Sequence, residues 1–101
     1  MNILSMTPQE RGEAEVFSEE IKRTLSSMLA RGDIRTRIIQ VGGLCLIEII
    51  FSHIGPSYSR HCIHPKEYGM QSKSGREGWY RFTLELLIKN WSEAHFLKGA
   101  I

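Results

Sequence analysis

Two adjacent glycines, Gly42 and Gly43, divide a long apolar stretch of the chain into two halves of similar length. A helix through this stretch would carry both glycines in its interior, which would cost it about 2 kcal/mol. In a two-residue hairpin turn, by contrast, Gly-Gly supplies the positive φ angles that the turn requires. The pattern favours a β-hairpin over about 35–51, and a second helix capped by Asp33 is the competing interpretation.

The glycine turn also sets the register of the predicted hairpin. The cross-strand pairs that it predicts are Val41–Leu44, Ile39–Leu46 and Arg37–Glu48. Opposite charges that face each other directly across two antiparallel strands stabilise the pairing. The position of Arg37 opposite Glu48 therefore supports the hairpin interpretation.

The N-terminal region has the signals of a long helix. Thr7 can cap the helix, Pro8 suits its first position, and Glu10 stands where the acid of a capping box reaches back. Apolar residues then recur at helical spacing, at Phe17, Ile21, Leu25, Met28 and Leu29. With Gly32 as the left-handed residue past its end, the sequence predicts a helix over about 8–31.

The rest of the chain is predicted as one long connection followed by two short elements. Residues 55–78 are polar and predict a loop, and residues 79–89 alternate between apolar and polar side chains in the manner of a strand. A helix over 79–89 is the alternative, and Ser92 can cap a short helix over about 92–98. We expect one α+β domain over 1–101, with the long helix packed on a small three-stranded antiparallel sheet and a short C-terminal helix. The alternative is an all-α bundle.

Composition narrows the classes of protein. The chain has 101 residues, 42% of them hydrophobic, and a net charge of +2, which is weaker than the basic footprint of a dedicated nucleic-acid binder. Its longest apolar run, 44–51, is interrupted by Glu48 and is too short to cross a bilayer, and the N-terminal residues do not resemble a secretory signal. We therefore expect a cytoplasmic protein with no membrane partner.

The predicted sheet has more apolar surface than one helix can cover. The second face of the hairpin would have to be covered by something else. The candidates are the long loop, the C-terminal segment, a second copy of the chain or another protein. Exposed apolar patches with charged rims often mark interfaces. The residues that we expect to bind a partner are Ile39, Val41, Leu44, Leu46, Arg35 and Arg37.

Basic and aromatic residues interleave in the predicted loop, which suggests an alternative function. Single-stranded nucleic acids are held by Lys and Arg at phosphates and by aromatic rings stacked on bases. The candidate residues for such binding, within 58–79, are Tyr58, Arg60, Lys73, Arg76 and Trp79.

Residues typical of catalysis or metal binding do not form a pattern that we can assign. The run His61-Cys62-Ile63-His64 has metal-ligating residue types, but its spacing is not that of the usual zinc-binding pairs. We expect no enzyme, no cofactor and no metal. The predicted function is a small protein-binding module that regulates or inhibits a larger protein partner, alone or as a homodimer.

Overall fold

The computed structural model describes the backbone of residues 7–99 and the side chains of residues 7–95. The elements in chain order are α1 (Pro8–Met28), β1 (Asp33–Val41), β2 (Leu44–Ser52), β3 (Tyr58–Ile63), α2 (Pro65–Met70) and α3 (Lys73–Gly99). The three strands form one antiparallel sheet in the order β1-β2-β3. The predicted α+β class is confirmed. None of the described helices is long and apolar enough to span a membrane.

Helix α1 begins with the predicted capping box. The Glu10 backbone N–H donates to Thr7 Oγ1 at 3.1 Å, and Glu10 Oε1 accepts from the Thr7 backbone N–H at 3.4 Å. The helix ends at Met28, three residues earlier than predicted. Gly32 has the expected positive φ of 97°, but it lies in the connection to β1 rather than directly after the helix.

The predicted hairpin is present with its predicted register. Gly42 and Gly43 have φ angles of 54° and 87° and form the turn between β1 and β2. All three predicted cross-strand pairs occur in the structure. The second-helix interpretation of this region is therefore wrong, because glycines at positive φ interrupt a helix and complete a hairpin.

The structure differs from the predicted loop and short C-terminal helix, and it decides between the two interpretations of residues 79–89. The third strand is β3, inside the region predicted as a loop over 55–78, which also contains α2 and the start of α3. Residues 79–89 are helical, as the alternative interpretation predicted, and they do not form a strand. The predicted short helix over 92–98 is the last part of the 27-residue α3.

Helix α3 forms because its buried residues follow a helical period. Tyr80, Leu84, Leu87 and Trp91 are buried and lie four, three and four residues apart. Phe82 belongs to the strand-like alternation but is 61% exposed. The Ser72 side chain accepts from the Gly75 backbone N–H at 3.1 Å and so caps the helix at its start.

The three helices lie on one side of the sheet and build the core with it. Helix α1 contributes Ile21 and Leu25, α2 contributes Tyr68, and these pack with Ile34, Ile47, Ile49, Phe51 and Ile63 of the sheet and with the buried stripe of α3. Trp91 Nε1 donates to the Ser57 carbonyl at 3.0 Å, and Ser59 Oγ donates to the Leu87 carbonyl at 2.6 Å. These bonds fix α3 against β3, so both long helices cover the same face of the sheet.

The connection between α1 and β1 yields a test of this packing. In Gly32→Ala the new Cβ would lie 2.6 Å from Phe51 Cε2 and 2.9 Å from the Ser52 carbonyl, at a positive φ. We expect a loss of more than about 1 kcal/mol in the free energy of unfolding, measured by urea denaturation. Gly12→Ala is the control, since its Cβ would meet nothing within 4 Å and alanine favours the helix by up to about 1 kcal/mol. Equal stabilities of the two variants would contradict the close approach of Gly32 to β2.

Candidate binding face

The sheet has a second face, which we call the open face, and no described helix packs on it. Because side chains alternate across a strand, the register places every second residue here. The open face consists of Asp33, Arg35, Arg37, Ile39 and Val41 of β1, Leu44, Leu46, Glu48, Ile50 and Ser52 of β2, and Tyr58, Arg60 and Cys62 of β3. All six residues that the sequence predicted for partner binding lie together on it.

Four apolar residues form a continuous strip at the turn end of the open face. This apolar strip consists of the adjacent cross-strand pairs Ile39–Leu46 and Val41–Leu44. Val41 and Leu44 are 53% and 55% exposed, and Ile39 and Leu46 are half-buried. Strand β3 pairs with β2 only as far as Ile47, so the strip lies on a two-stranded arm that extends beyond β3.

A buried carboxylate lies at the centre of the open face. The Glu48 side chain is only 1% exposed, and each of its oxygens accepts from one arginine. Arg37 Nε donates to Oε1 at 2.6 Å, and Arg60 Nη1 donates to Oε2 at 3.1 Å. The two arginine side chains remain 64% and 63% exposed, so they lie over the carboxylate and present their other N–H groups to the surface.

A third arginine extends the positive charge of this face. Arg35 lies on β1 beside Arg37, and its Nε is 4.0 Å from Asp33 Oδ2, with both side chains exposed. Glu48 is buried and cannot meet a partner directly. The charges that face outward are therefore three guanidinium groups and the single carboxylate of Asp33.

The residues of the run His61 to His64 point in different directions. His61 pairs with Ile49 and lies on the helix side of the sheet, whereas Cys62 pairs with Glu48 on the open face. His64 caps α2, where its Nδ1 accepts from the Lys66 backbone N–H at 3.1 Å. Within the described part of the chain no three His, Cys, Asp or Glu side chains form a group that could hold a metal ion.

The environment of Cys62 does not favour a nucleophile. Burial raises the pKa of the thiol, and the neighbouring Glu48 carboxylate raises it further. Since the thiolate is the reactive form, a raised pKa leaves less of it at neutral pH. His61, a nearby candidate base, has a pKa lowered by burial, and it lies on the other side of the sheet.

The structure divides the residues predicted for nucleic-acid binding between two sides of the molecule. Tyr58 and Arg60 lie on the open face. Lys73, Arg76 and Trp79 lie on α3, where Trp79 packs edge-on against Tyr68 and Arg76 is bonded to Glu20 of α1. The five residues therefore do not form one continuous surface.

A polar cluster joins the three helices on the side away from the open face. Glu20 of α1 accepts hydrogen bonds from Tyr68 of α2 and, at 3.2 Å, from Tyr80 of α3. Arg76 Nη1 donates to the same carboxylate at 3.0 Å, and its guanidinium lies 4.3 Å from the centre of the Tyr68 ring. The cluster borders a cleft of about 720 Å³ lined by Glu20, Thr24, Met28, Gln71, Lys73, Arg76, Glu77, Tyr80 and Arg81.

These contacts lower the pKa of Glu20 and raise the pKa of Tyr68. The hydrogen bond from Tyr68 lowers the pKa of Glu20, and those from Tyr80 and Arg76 lower it further. Burial raises the pKa of Tyr68, as does its bond to the Glu20 carboxylate. Both shifts favour an ionised Glu20 carboxylate that accepts from the neutral Tyr68 phenol at neutral pH.

The sequence did not identify two parts of this arrangement. Arg60 lies in the region predicted as a loop, so the sequence did not predict its bond to Glu48. A buried acid within an apolar run nevertheless requires compensating donors, and a second cation can supply them. Glu20 and its partners are separated by 48 to 60 positions in the chain, and no local pattern connects them. Comparison of the chain with family models, curated proteins and solved structures finds no match.

The Glu48 arrangement predicts a marked loss of stability on neutralisation. In Glu48→Gln two charge-assisted hydrogen bonds are lost and two arginines remain close together without their anion. We expect the free energy of unfolding to fall by about 1–3 kcal/mol, measured by urea denaturation. Glu85→Gln, at an exposed position of α3, is the control and should change stability by less than about 0.5 kcal/mol. Equal effects of the two changes would show that Glu48 is not buried.

The Glu20 cluster predicts a stability contribution that depends on pH. Because the pKa of Glu20 is lowered from its ordinary value of 4.5, its contribution is present above pH 4.5 and is lost as pH falls through the folded-state value. Glu20→Gln should therefore reduce stability at pH 7 by about 1 kcal/mol, a value that allows for screening of this partly exposed group. The deficit relative to the wild type should shrink as the pH falls below 4.5.

Thermal unfolding from pH 7 down to pH 3 would measure this deficit. Glu19→Gln is the matched control, since Glu19 is exposed and forms no ion pair within the described part of the chain. A deficit of Glu20→Gln that stays constant with pH would contradict the role of the carboxylate.

Proposed function

We propose that this protein is a non-enzymatic protein-binding module whose open face binds a larger protein partner and thereby regulates or inhibits it. The observation that supports the proposal is the apolar strip, where four aliphatic side chains adjoin on a sheet face that no described helix covers. Contiguous exposed apolar surface with a polar rim is typical of interaction sites. Arg35 and Arg37 supply such a rim at one end of the strip.

Two other exposed apolar side chains, one on each long helix, contrast with this strip. Val16 on α1 and Phe82 on α3 are 63% and 61% exposed, but they lie on different helices. Single exposed apolar residues are common on soluble domains and need no special explanation. The strip differs because its four members are neighbours along and across two paired strands.

The alternative proposal, nucleic-acid binding through residues 58–79, has weaker support. The basic and aromatic residues that it requires lie on two sides of the molecule, and Arg76 is already bonded to Glu20. The cytoplasm remains the proposed location. Cys45 and Cys62 lie on opposite faces of the sheet, which suits a compartment where thiols stay reduced.

Selection from a library of displayed random peptides on the immobilised protein would test the proposed surface. The recovered peptides would then be titrated against Val41→Ser/Leu44→Ser, which removes the exposed part of the strip. Val16→Ser/Phe82→Ser is the matched control, because it removes two equally exposed apolar side chains elsewhere. We expect at least about a tenfold loss of affinity on the strip variant and less than about a twofold change on the control.

Two outcomes would contradict the proposal. One is the recovery of peptides that bind the strip variant as tightly as the wild type. The other is the failure of the wild type to enrich any peptide over the strip variant. Circular dichroism of both variants would show that the fold is retained, so a loss of binding would report on the surface itself.

A further inference from the structure

The charges on the open face restrict what can bind there. We infer that the partner is an acidic protein segment, in which apolar side chains are followed by Asp or Glu, and that it is not a second copy of this chain. This inference rests on the proposed function and specifies the chemistry of the partner.

Electrostatic complementarity is the first support for an acidic partner. Arg35, Arg37 and Arg60 lie on the open face with two carboxylates, the exposed Asp33 and the buried Glu48, so the described part of this face has a net charge of +1. A second copy packed face to face would bring three further arginines, and like charges across an interface disfavour such a pairing. Asp33 and Glu48 of that copy offset only two of its three arginines, so two faces of the same net positive sign would still meet.

Unused hydrogen-bond donors on the arginines are the second support. A guanidinium has five N–H donors, and Arg37 donates to Glu48 through Nε while Arg60 does so through one Nη. The remaining donors point away from the carboxylate on side chains that are mostly exposed. Carboxylates of a partner match such donors in charge and in geometry.

The size of the face also argues for a segment rather than a second folded copy. Nine-residue strands are about 30 Å long and three strands are about 14 Å wide, so the outline of the face is on the order of 400 Å². Stable interfaces between folded proteins bury about 800 Å² on each partner. A face of this outline is the size of one extended segment lying along the strands.

The order of residues along β1 predicts the pattern of that segment. Arg37 and Arg35 follow the apolar strip at successive alternate positions, about 7 Å apart. An extended segment that lies along the strand would therefore place two alternate apolar side chains on the strip. Its next two alternate positions would be carboxylates that meet Arg37 and Arg35.

Three matched libraries of displayed peptides would test this pattern. All three libraries have apolar residues at two alternate positions. The next two alternate positions are Asp or Glu in the acidic library, Asn or Gln in the amide library, and Lys or Arg in the basic library. We expect the acidic library to be enriched at least about tenfold over the amide library, and the basic library to be depleted. Binding of the acidic peptides should also weaken as salt rises from about 0.05 to 0.5 M.

Variants of the protein would locate the charge effect. Arg35→Gln should lower the affinity for acidic peptides by about three- to tenfold, and it leaves Glu48 with both of its partners. Arg23→Gln is the matched control, since Arg23 is exposed on α1 and forms no ion pair within the described residues. A combined Arg37→Gln/Glu48→Gln/Arg60→Gln variant removes both arginines and the buried carboxylate together, so it leaves no unpaired buried charge. If its circular dichroism is unchanged, this variant should lose the preference for acidic peptides.

The outcomes separate this inference from the proposed function. If peptides bind the apolar strip with no preference for acidic positions, the inference is wrong and the proposed function stands. If the protein dimerises at about 100 μM in sedimentation equilibrium and Val41→Ser/Leu44→Ser restores the monomer, a second copy is the occupant and the inference is wrong. If no peptide binds and a labelled single-stranded oligonucleotide binds through Arg35 and Arg60, both are wrong.

Discussion

The Glu48 carboxylate, held between Arg37 and Arg60, is the interaction on which the character of the sheet depends. A buried charge is expensive unless hydrogen-bond donors surround it, and the two arginines come from the strands on either side of β2. The arrangement therefore connects all three strands through one side chain. A slip of one residue in either pairing would place Glu48 and one of its arginines on opposite faces of the sheet, so the carboxylate also selects the register.

The same carboxylate stabilises the sheet face on which no described helix packs. Both long helices pack on the opposite face, where Ile47 and Ile49 are fully buried. On the open face the guanidinium groups of Arg37 and Arg60 donate to Glu48 and lie over it, while their remaining N–H groups stay at the surface. The sheet thus has a neutral, dry side that holds the fold together and a side of mixed apolar and positive character that is available to a partner.

Local signals in the sequence predicted about half of the fold. The capping box at Thr7 and the turn at Gly42 act over a few residues, and each specifies one geometry. Residues 79–89 fit both a strand and a helix, because aromatic and aliphatic residues occur there at both periods. Residues 79–89 are helical because β3 already forms the third strand of the sheet. The sequence of β3 is polar and gives little indication of a strand.

The candidate site was predictable where it depends on the hairpin alone. Once Gly42 and Gly43 are the turn, alternation assigns the apolar strip, Arg35 and Arg37 to one face. Arg60 and Tyr58 join this face only through the pairing of β3, which the sequence did not indicate. The Glu20 cluster arises from the docking of three helices, and contacts over such chain separations leave no pattern in a single sequence.

The most direct test of the open face is methyl NMR of the isolated protein with a soluble paramagnetic agent. Such an agent attenuates the signals of methyl groups that reach the solvent. We expect strong attenuation at Val41 and Leu44, intermediate attenuation at Ile39 and Leu46, and protection at Ile47 and Ile49. Equal protection of all six residues would show that the chain or a second copy already covers this face, and it would contradict the account.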